Sequence, residues 1–86
     1  FELEISLTDH LLIFEYVDRP GVIGVFGQAL GRNNVNIAGM QVSRAGEGGR
    51  ALSVLAVDTA VTPEIVQTVA AAADAEHAAA VNLTED

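Results

Sequence analysis

The hydrophobic pattern of the chain changes its period at one turn, the D-R-P-G sequence at residues 18–21. Residues 11–17 form a nearly continuous apolar run rich in β-forming side chains, which predicts a central strand. Proline fixes its own φ, disfavours the helical region for the residue before it and has no N–H to donate, so this strand must end at the turn. From Val22 the apolar residues recur at the 3.6-residue period of a helix, which we expect to end at residues 33–34.

The remaining segments complete a mixed fold. Strands are predicted over residues 37–44 and 51–57, and a glycine-rich hairpin loop joins them. Thr62 followed by Pro63 is typical of a helix start, and a weaker apolar pattern over residues 76–83 indicates a last strand. The order β-α-β-β-α-β predicts an α+β, ferredoxin-like fold. Its four antiparallel strands should lie in the order 4-1-3-2, with both helices on one face.

Residues 1–9 precede this unit and alternate between apolar and polar side chains, the pattern of a half-buried strand. We interpret them as an extra N-terminal strand, the tail of a preceding domain, and residues 10–86 as a single domain. A chain of 86 residues has room for one domain. It begins at Phe1, within the predicted strand, and this indicates a piece of a longer protein.

Composition excludes several classes of function. Twelve acidic residues stand against four arginines and no lysine, giving a formal net charge of −8. Such a chain would repel nucleic-acid phosphates and anionic membrane surfaces, so we expect neither partner. The absence of cysteine excludes disulfides and metal sites built on thiolates. No apolar run approaches the roughly 20 residues that a membrane-spanning helix needs.

The residues that carry chemistry form no catalytic set. His10 and His77 have no second ligand at metal-binding spacing, and no serine lies in a nucleophile elbow. The glycine-rich stretch at residues 21–27 lacks the G-x-G-x-x-G spacing, and the chain has no lysine for a phosphate-binding P-loop. We therefore predict no catalytic residue, no metal and no cofactor in this chain.

Small residues recur on both predicted helices. Gly24, Gly27 and Gly31 are spaced along one face of the first helix, and residues 70–73 are an alanine run on the second. Each helical glycine costs roughly 1 kcal/mol relative to alanine, so we expect the set to serve a packing purpose. We predict that it lets the two helices approach closely; the alternative is a closely docked partner.

The turn and the helix that follows it form a candidate ligand site. Free N–H groups of residues 21–24 at the helix N-terminus favour an anion such as a carboxylate. Asp18 can pair with an ammonium group, and we place Asn36 at the same edge, where its amide can bond to either group. The site then suits a ligand with both an ammonium and a carboxylate. Alternatively, Asp18 only caps the turn and Asn36 only starts a strand.

Two motifs make a resemblance specific. The D-R-P-G element at residues 18–21, combined with N-x-N-I-A-x-M-Q-V-S-R at residues 34–44, resembles an ACT domain. More narrowly, the chain is similar over about residues 11–83 to the C-terminal regulatory domain of D-3-phosphoglycerate dehydrogenases, in the long form with an intervening domain. Residues 57–58 and 61–64 continue the similarity. These enzymes catalyse the NAD-dependent first step of L-serine biosynthesis.

The resemblance implies a regulatory role. L-serine would bind between two such domains, paired through the second strand into one eight-stranded sheet, and would act as a feedback inhibitor. The implied ligand-binding residues are Tyr16, Asp18, Arg19, Pro20, Gly21, Val22, Asn36 and Ile37. The catalytic residues and the NAD site of a cytoplasmic parent enzyme would lie outside this chain, so the fragment itself would not be an enzyme.

Three alternatives stay open. The β chain of iron–sulfur L-serine dehydratase carries a similar ACT domain, although its loop usually departs from D-R-P-G. A structural dimerisation module without a ligand is the second. The third is a small enzyme of the same fold, such as an acylphosphatase, although the arginine-containing phosphate loop of that family is missing here.

Overall fold

The computed structural model describes residues 10–44 and 49–82. The elements follow in the order β1 (His10–Val17), α1 (Val22–Arg32), β2 (Ile37–Arg44), β3 (Arg50–Val57), α2 (Pro63–Ala73) and β4 (His77–Asn82). The strands lie in the order β2-β3-β1-β4, which confirms the predicted ferredoxin-like fold. The predicted strand at residues 1–9, most of the hairpin loop and the last residue of the predicted fourth strand lie outside the described residues.

Strand β1 is central and pairs antiparallel on both sides. Phe14 at its middle lies opposite Ser53 of β3 and Ala78 of β4. Strand β2 pairs antiparallel with β3, and its register shifts between Ile37 and Gly39. Within the described part of the chain, β2 and β4 are therefore the two edges of the sheet.

Both helices cover the same face of the sheet. Side chains alternate along β1, so Phe14 and Tyr16 point to this face and join a buried cluster with Phe26 of α1 and Val69 of α2. The Phe26 ring stacks on Phe14, with centroids 4.8 Å apart, and meets Tyr16 edge to face at 5.4 Å. These contacts fix α1 on the sheet and thereby fix the turn that precedes it.

The two helices begin in different ways. Gly21 is the N-cap of α1 and has φ 91° and ψ −9°, in the left-handed region. Glycine adopts this conformation without strain, whereas a Cβ atom costs roughly 1–2 kcal/mol there. Helix α2 begins as predicted: Pro63 is its first residue, and the Thr62 side chain accepts a hydrogen bond from the N–H of Ile65.

The prediction that glycines bring the two helices close together is wrong. A Cβ atom built at Gly24, Gly27 or Gly31 would meet no other atom within 4 Å, and all three glycines are exposed. With 3.6 residues per turn, they fall on the side of α1 opposite to the buried Phe26. The residues of α1 that do pack in the core are Val22, Phe26, Ala29 and Leu30.

Replacing Gly21 by alanine is expected to lower the free energy of unfolding by about 1–2 kcal/mol, because the new Cβ atom is strained at positive φ. Gly24→Ala is the matched control. Its site is helical and equally open, so alanine should raise the stability by about 0.5–1 kcal/mol. Urea unfolding of both variants measures the difference. Effects of the same sign at the two positions would contradict the backbone explanation.

Candidate functional site

Asp18 lies immediately after β1 and is bonded to the end of β2. Arg44 Nε donates to Asp18 Oδ2 at 2.7 Å, and 64% of the Arg44 side chain and 30% of the Asp18 side chain are exposed. The backbone N–H of Asp18 also donates to the carbonyl of Gly49. Strands β1 and β2 run parallel with β3 between them, so both end at this end of the sheet. We call it the Asp18 end.

Arg19 connects the turn to helix α2. Its Nη1 donates to the carbonyl of Val17 at 3.1 Å, and its Nη2 donates to the carbonyl of Ala73, the last residue of α2. A cation is favoured at a helix C-terminus, where the last carbonyls have no intrahelical donor. The Arg19 side chain therefore holds the loop in place. Arg19 would therefore affect a ligand through the position of the loop backbone.

The N-terminus of α1 is left without a side-chain cap. Gly21 supplies no side-chain acceptor, and the first turn of α1 has no acidic residue. Helix α2 differs, because Thr62 caps it and Glu64 lies in its first turn. Of the other predicted loop residues, Pro20 is exposed and Val22 is buried. Beside Asp18, helix α1 thus presents an uncapped N-terminus of the kind that binds carboxylates and phosphates.

Tyr16 lies in the core beneath this loop. Its side chain is only 1% exposed, and its hydroxyl group shares a hydrogen bond of 2.7 Å with Ser53 Oγ. The resemblance implies a side-chain contact between Tyr16 and the ligand, but in this chain the phenol is engaged with Ser53. Its ring also packs edge to face against Phe26 in the core. A contact between Tyr16 and a ligand stays a prediction.

Asn36 lies at the opposite end of the sheet from Asp18. Its Nδ2 donates to Asp58 Oδ2 at 2.8 Å, and its carbonyl accepts from the Asp58 N–H at 3.2 Å. The next residue, the half-buried Ile37, is level with His10 at the start of β1. Eight strand residues at about 3.3 Å each separate the two ends by about 25 Å. The interpretation that a single chain brings both side chains to one ligand is therefore wrong.

Two partners of these side chains, Arg44 and Asp58, are not among the residues predicted from the sequence. Both fall inside the segments that carry the family resemblance, at the end of residues 34–44 and in residues 57–58. The strand directions contain the signal that could have found Arg44. It is the last residue of β2, and the parallel β1 ends just before Asp18.

A second group of charges lies at the same end but on the other face of the sheet. Arg50 Nη1 bonds to Glu15 Oε2 at 3.3 Å and also to Glu76. In residues 10–44 and 49–82, no three His, Cys, Asp or Glu side chains are close enough to hold a metal ion. None of the helices in these ranges is long and apolar enough to cross a membrane.

Comparison with known proteins identifies the class of protein to which this chain belongs. The ACT domain family matches residues 10–74, and the chain belongs to that family. Its relatives include D-3-phosphoglycerate dehydrogenases. The one from Archaeoglobus fulgidus is 50% identical over 60 residues, which cover 67% of this chain and 11% of the relative. The one from Bacillus subtilis is 40% identical over 67 residues, which cover 78% of this chain and 13% of the relative. The chain therefore spans only a small part of either enzyme.

A solved structure supports the fold. An unknown protein from Galdieria sulphuraria matches with a TM-score of 0.70 and 16% identity, over 90% of this chain and 45% of that one. At this level of identity the likeness concerns the fold alone. It agrees with the strand order and helix placement described above.

Tyr16→Phe is expected to lower the free energy of unfolding by about 1–2 kcal/mol, because it leaves the buried Ser53 hydroxyl without its partner. Ser53→Ala should lower the free energy of unfolding by a similar amount, because it leaves the buried Tyr16 hydroxyl without its partner. The double variant removes both polar groups, so its cost should be clearly smaller than the sum. A double-mutant cycle by urea unfolding measures the coupling, and purely additive costs would contradict it.

Proposed function

We propose that this chain is a serine-sensing regulatory domain. It binds L-serine between two copies of itself and mediates feedback inhibition of a D-3-phosphoglycerate dehydrogenase, the NAD-dependent enzyme at the start of L-serine biosynthesis. Membership of the ACT family and the dehydrogenase relatives support the regulatory role. The observation that carries the ligand site is the separation of Asp18 and Asn36 to opposite ends of one sheet.

Two copies that pair antiparallel along β2 would reunite these half-sites. A two-fold axis perpendicular to the sheet reverses the second copy, so the Asn36 end of one copy meets the Asp18 end of the other. Strand β2 suits this pairing, because it is an edge of the described sheet and residues 40–44 pair with β3 in regular register. The product is a homodimer with one eight-stranded sheet and two identical sites.

Each group of serine would find a partner in such a site. The ammonium group pairs with the Asp18 carboxylate, and the carboxylate lies at the uncapped N-terminus of α1. One N–H of Asn36 Nδ2 in the second copy donates to Asp58, and this bond orients the amide so that Oδ1 can accept from the serine hydroxyl. The loop at residues 18–21 and Ile37 complete the proposed wall of the site.

The regulatory effect follows from binding across an interface. Because serine contacts both copies, it binds best to the paired arrangement that brings the half-sites together. In the parent enzyme, this preference would bias the catalytic parts toward a less active state. We expect that enzyme to work in the cytoplasm.

NAD would bind to another part of the parent enzyme. A dinucleotide-binding loop joins two parallel strands of a doubly wound sheet and carries the G-x-G-x-x-G spacing. Here β1 and β2 are separated by the antiparallel β3, and residues 21–27 lack that spacing. The residues of this chain therefore do not fit NAD.

The first test is isothermal titration of L-serine into the 86-residue chain, with the mass measured by light scattering. We expect saturable binding to a dimer, with D-serine and L-phenylalanine as controls that do not bind. Absence of serine binding to a confirmed dimer would contradict the proposal.

Mixing two inactive variants tests whether the site is shared. Asp18→Ala and Asn36→Ala should each abolish serine binding on their own. In a mixed dimer, one site combines the unchanged Asp18 of one copy with the unchanged Asn36 of the other. After random exchange of subunits, about a quarter of the original sites should be intact. A site contained within one chain would regain no binding.

One observation favours a second candidate, a dimerisation module without a ligand. Asp18 and Asn36 are both already bonded within the chain, to Arg44 and Asp58. If these bonds are purely structural, the chain should dimerise through β2 and bind no amino acid. The titration and mass measurement separate the two candidates.

A further inference from the structure

The Asp18–Arg44 pair has unused bonding capacity on both sides. Arg44 contacts the carboxylate through Nε alone, and only Oδ2 of Asp18 is engaged. A two-point pair would use both carboxylate oxygens and two nitrogens of the guanidinium group. Within the described residues, Asp18 Oδ1 and both Nη atoms of Arg44 therefore have no hydrogen-bond partner. The pair presents an anionic acceptor and cationic donors side by side.

A free α-amino acid is complementary to this arrangement. Its ammonium group can donate to Asp18 Oδ1, and its carboxylate can accept two hydrogen bonds from the planar Arg44 fork. An amine without a carboxylate would satisfy only the Asp18 half. Both side chains can reach a ligand, because 64% of Arg44 and 30% of Asp18 is exposed.

Few cations in the chain could meet a ligand carboxylate. It has four arginines and no lysine against a net charge of −8. At the Asp18 end, Arg19 is committed to the carbonyls of Val17 and Ala73. Arg50 is bonded to acidic side chains on the other face of the sheet. Arg44 is thus the cation placed beside the proposed site.

We propose, on the basis of the proposed function, that Arg44 is a specificity-determining residue of the serine site. It binds the α-carboxylate of the ligand, together with the N-terminus of α1, and restricts the site to zwitterionic amino acids. The opposite role, in which Arg44 competes with the ligand ammonium for Asp18, would make binding tighter once Arg44 is removed.

The test compares L-serine with L-serinamide, in which a neutral amide replaces the carboxylate. Titrations at about pH 6, below the pKa of an α-amino group, keep both ligands as ammonium ions. For Arg44→Gln, L-serine affinity should fall about five- to tenfold, since a charge-assisted hydrogen bond at an exposed site is lost. The affinity for L-serinamide should stay unchanged. Arg44→Lys keeps the charge without the fork and should give an intermediate loss.

Arg50→Gln is the matched control. It removes the same charge and an exposed ion pair at the same end of the sheet, but on the other face, and both affinities should be preserved. Urea unfolding checks that each variant is folded. If Arg44→Gln is unfolded, the affinities for L-serine and L-serinamide are compared between Arg44→Lys and Arg50→Gln instead.

The outcomes separate this inference from the function on which it rests. A dimer of the unchanged chain that binds no L-serine would overturn both. If the unchanged chain binds L-serine, the inference alone is overturned by tighter serine binding to Arg44→Gln, or by an unchanged ratio of the two affinities. Selective loss of L-serine binding supports it.

Discussion

Antiparallel pairing of β1 on both of its sides is the constraint on which the rest of the structure depends. Because β2 is also antiparallel to β3, β1 and β2 run the same way. The turn that leaves β1 must then lie at the opposite end from the segment that enters β2. Asp18 and Asn36 are thus separated by the backbone itself, and no rotation of side chains can bring them together. A ligand that needs both residues requires a second copy.

The two half-sites differ in how firmly they are held. Gly49, the residue before β3, accepts from the Asp18 N–H. Arg19 connects the same loop to the end of α2, and the positive φ of Gly21 sets the start of α1. Such a preformed loop loses little conformational freedom when a ligand binds. Asn36 is bonded to Asp58 and lies beside the register shift at the start of β2. In the proposed dimer, the Asp18 half would provide the fixed geometry and the Asn36 half would complete it on pairing.

The fold could be predicted because each segment agrees with it locally, in its hydrophobic period and in turn residues such as Pro63. The candidate site could be predicted less completely from the sequence. Reading along the chain placed Asp18 and Asn36 at one edge, although the end of β1 and the start of the parallel β2 lie at opposite ends of the sheet. The resemblance implied a site between two domains. The prediction about the glycines of α1 was wrong for another reason. Helix propensity gives the energetic cost of a glycine but not the side of the helix on which it lies. The strand directions bring Arg44 and Asp18 to the same end of the sheet, but the bond between them also depends on side-chain reach across β3.

The energetics of the proposed sensor limit how weak its pairing can be. A ligand at tenfold excess over its dissociation constant stabilises the state that binds it by about 1.4 kcal/mol per site. Two sites per pair give about 2.8 kcal/mol. This shifts the ratio of the paired to the unpaired arrangement from 1:10 to about 10:1. A shift from 1:99 to 99:1 needs roughly 5.5 kcal/mol and lies beyond this. At this ligand excess, the proposed paired arrangement would have to be close to balance before serine binds. An edge strand such as β2, with its register shift at one end, is suited to pairing of this marginal strength.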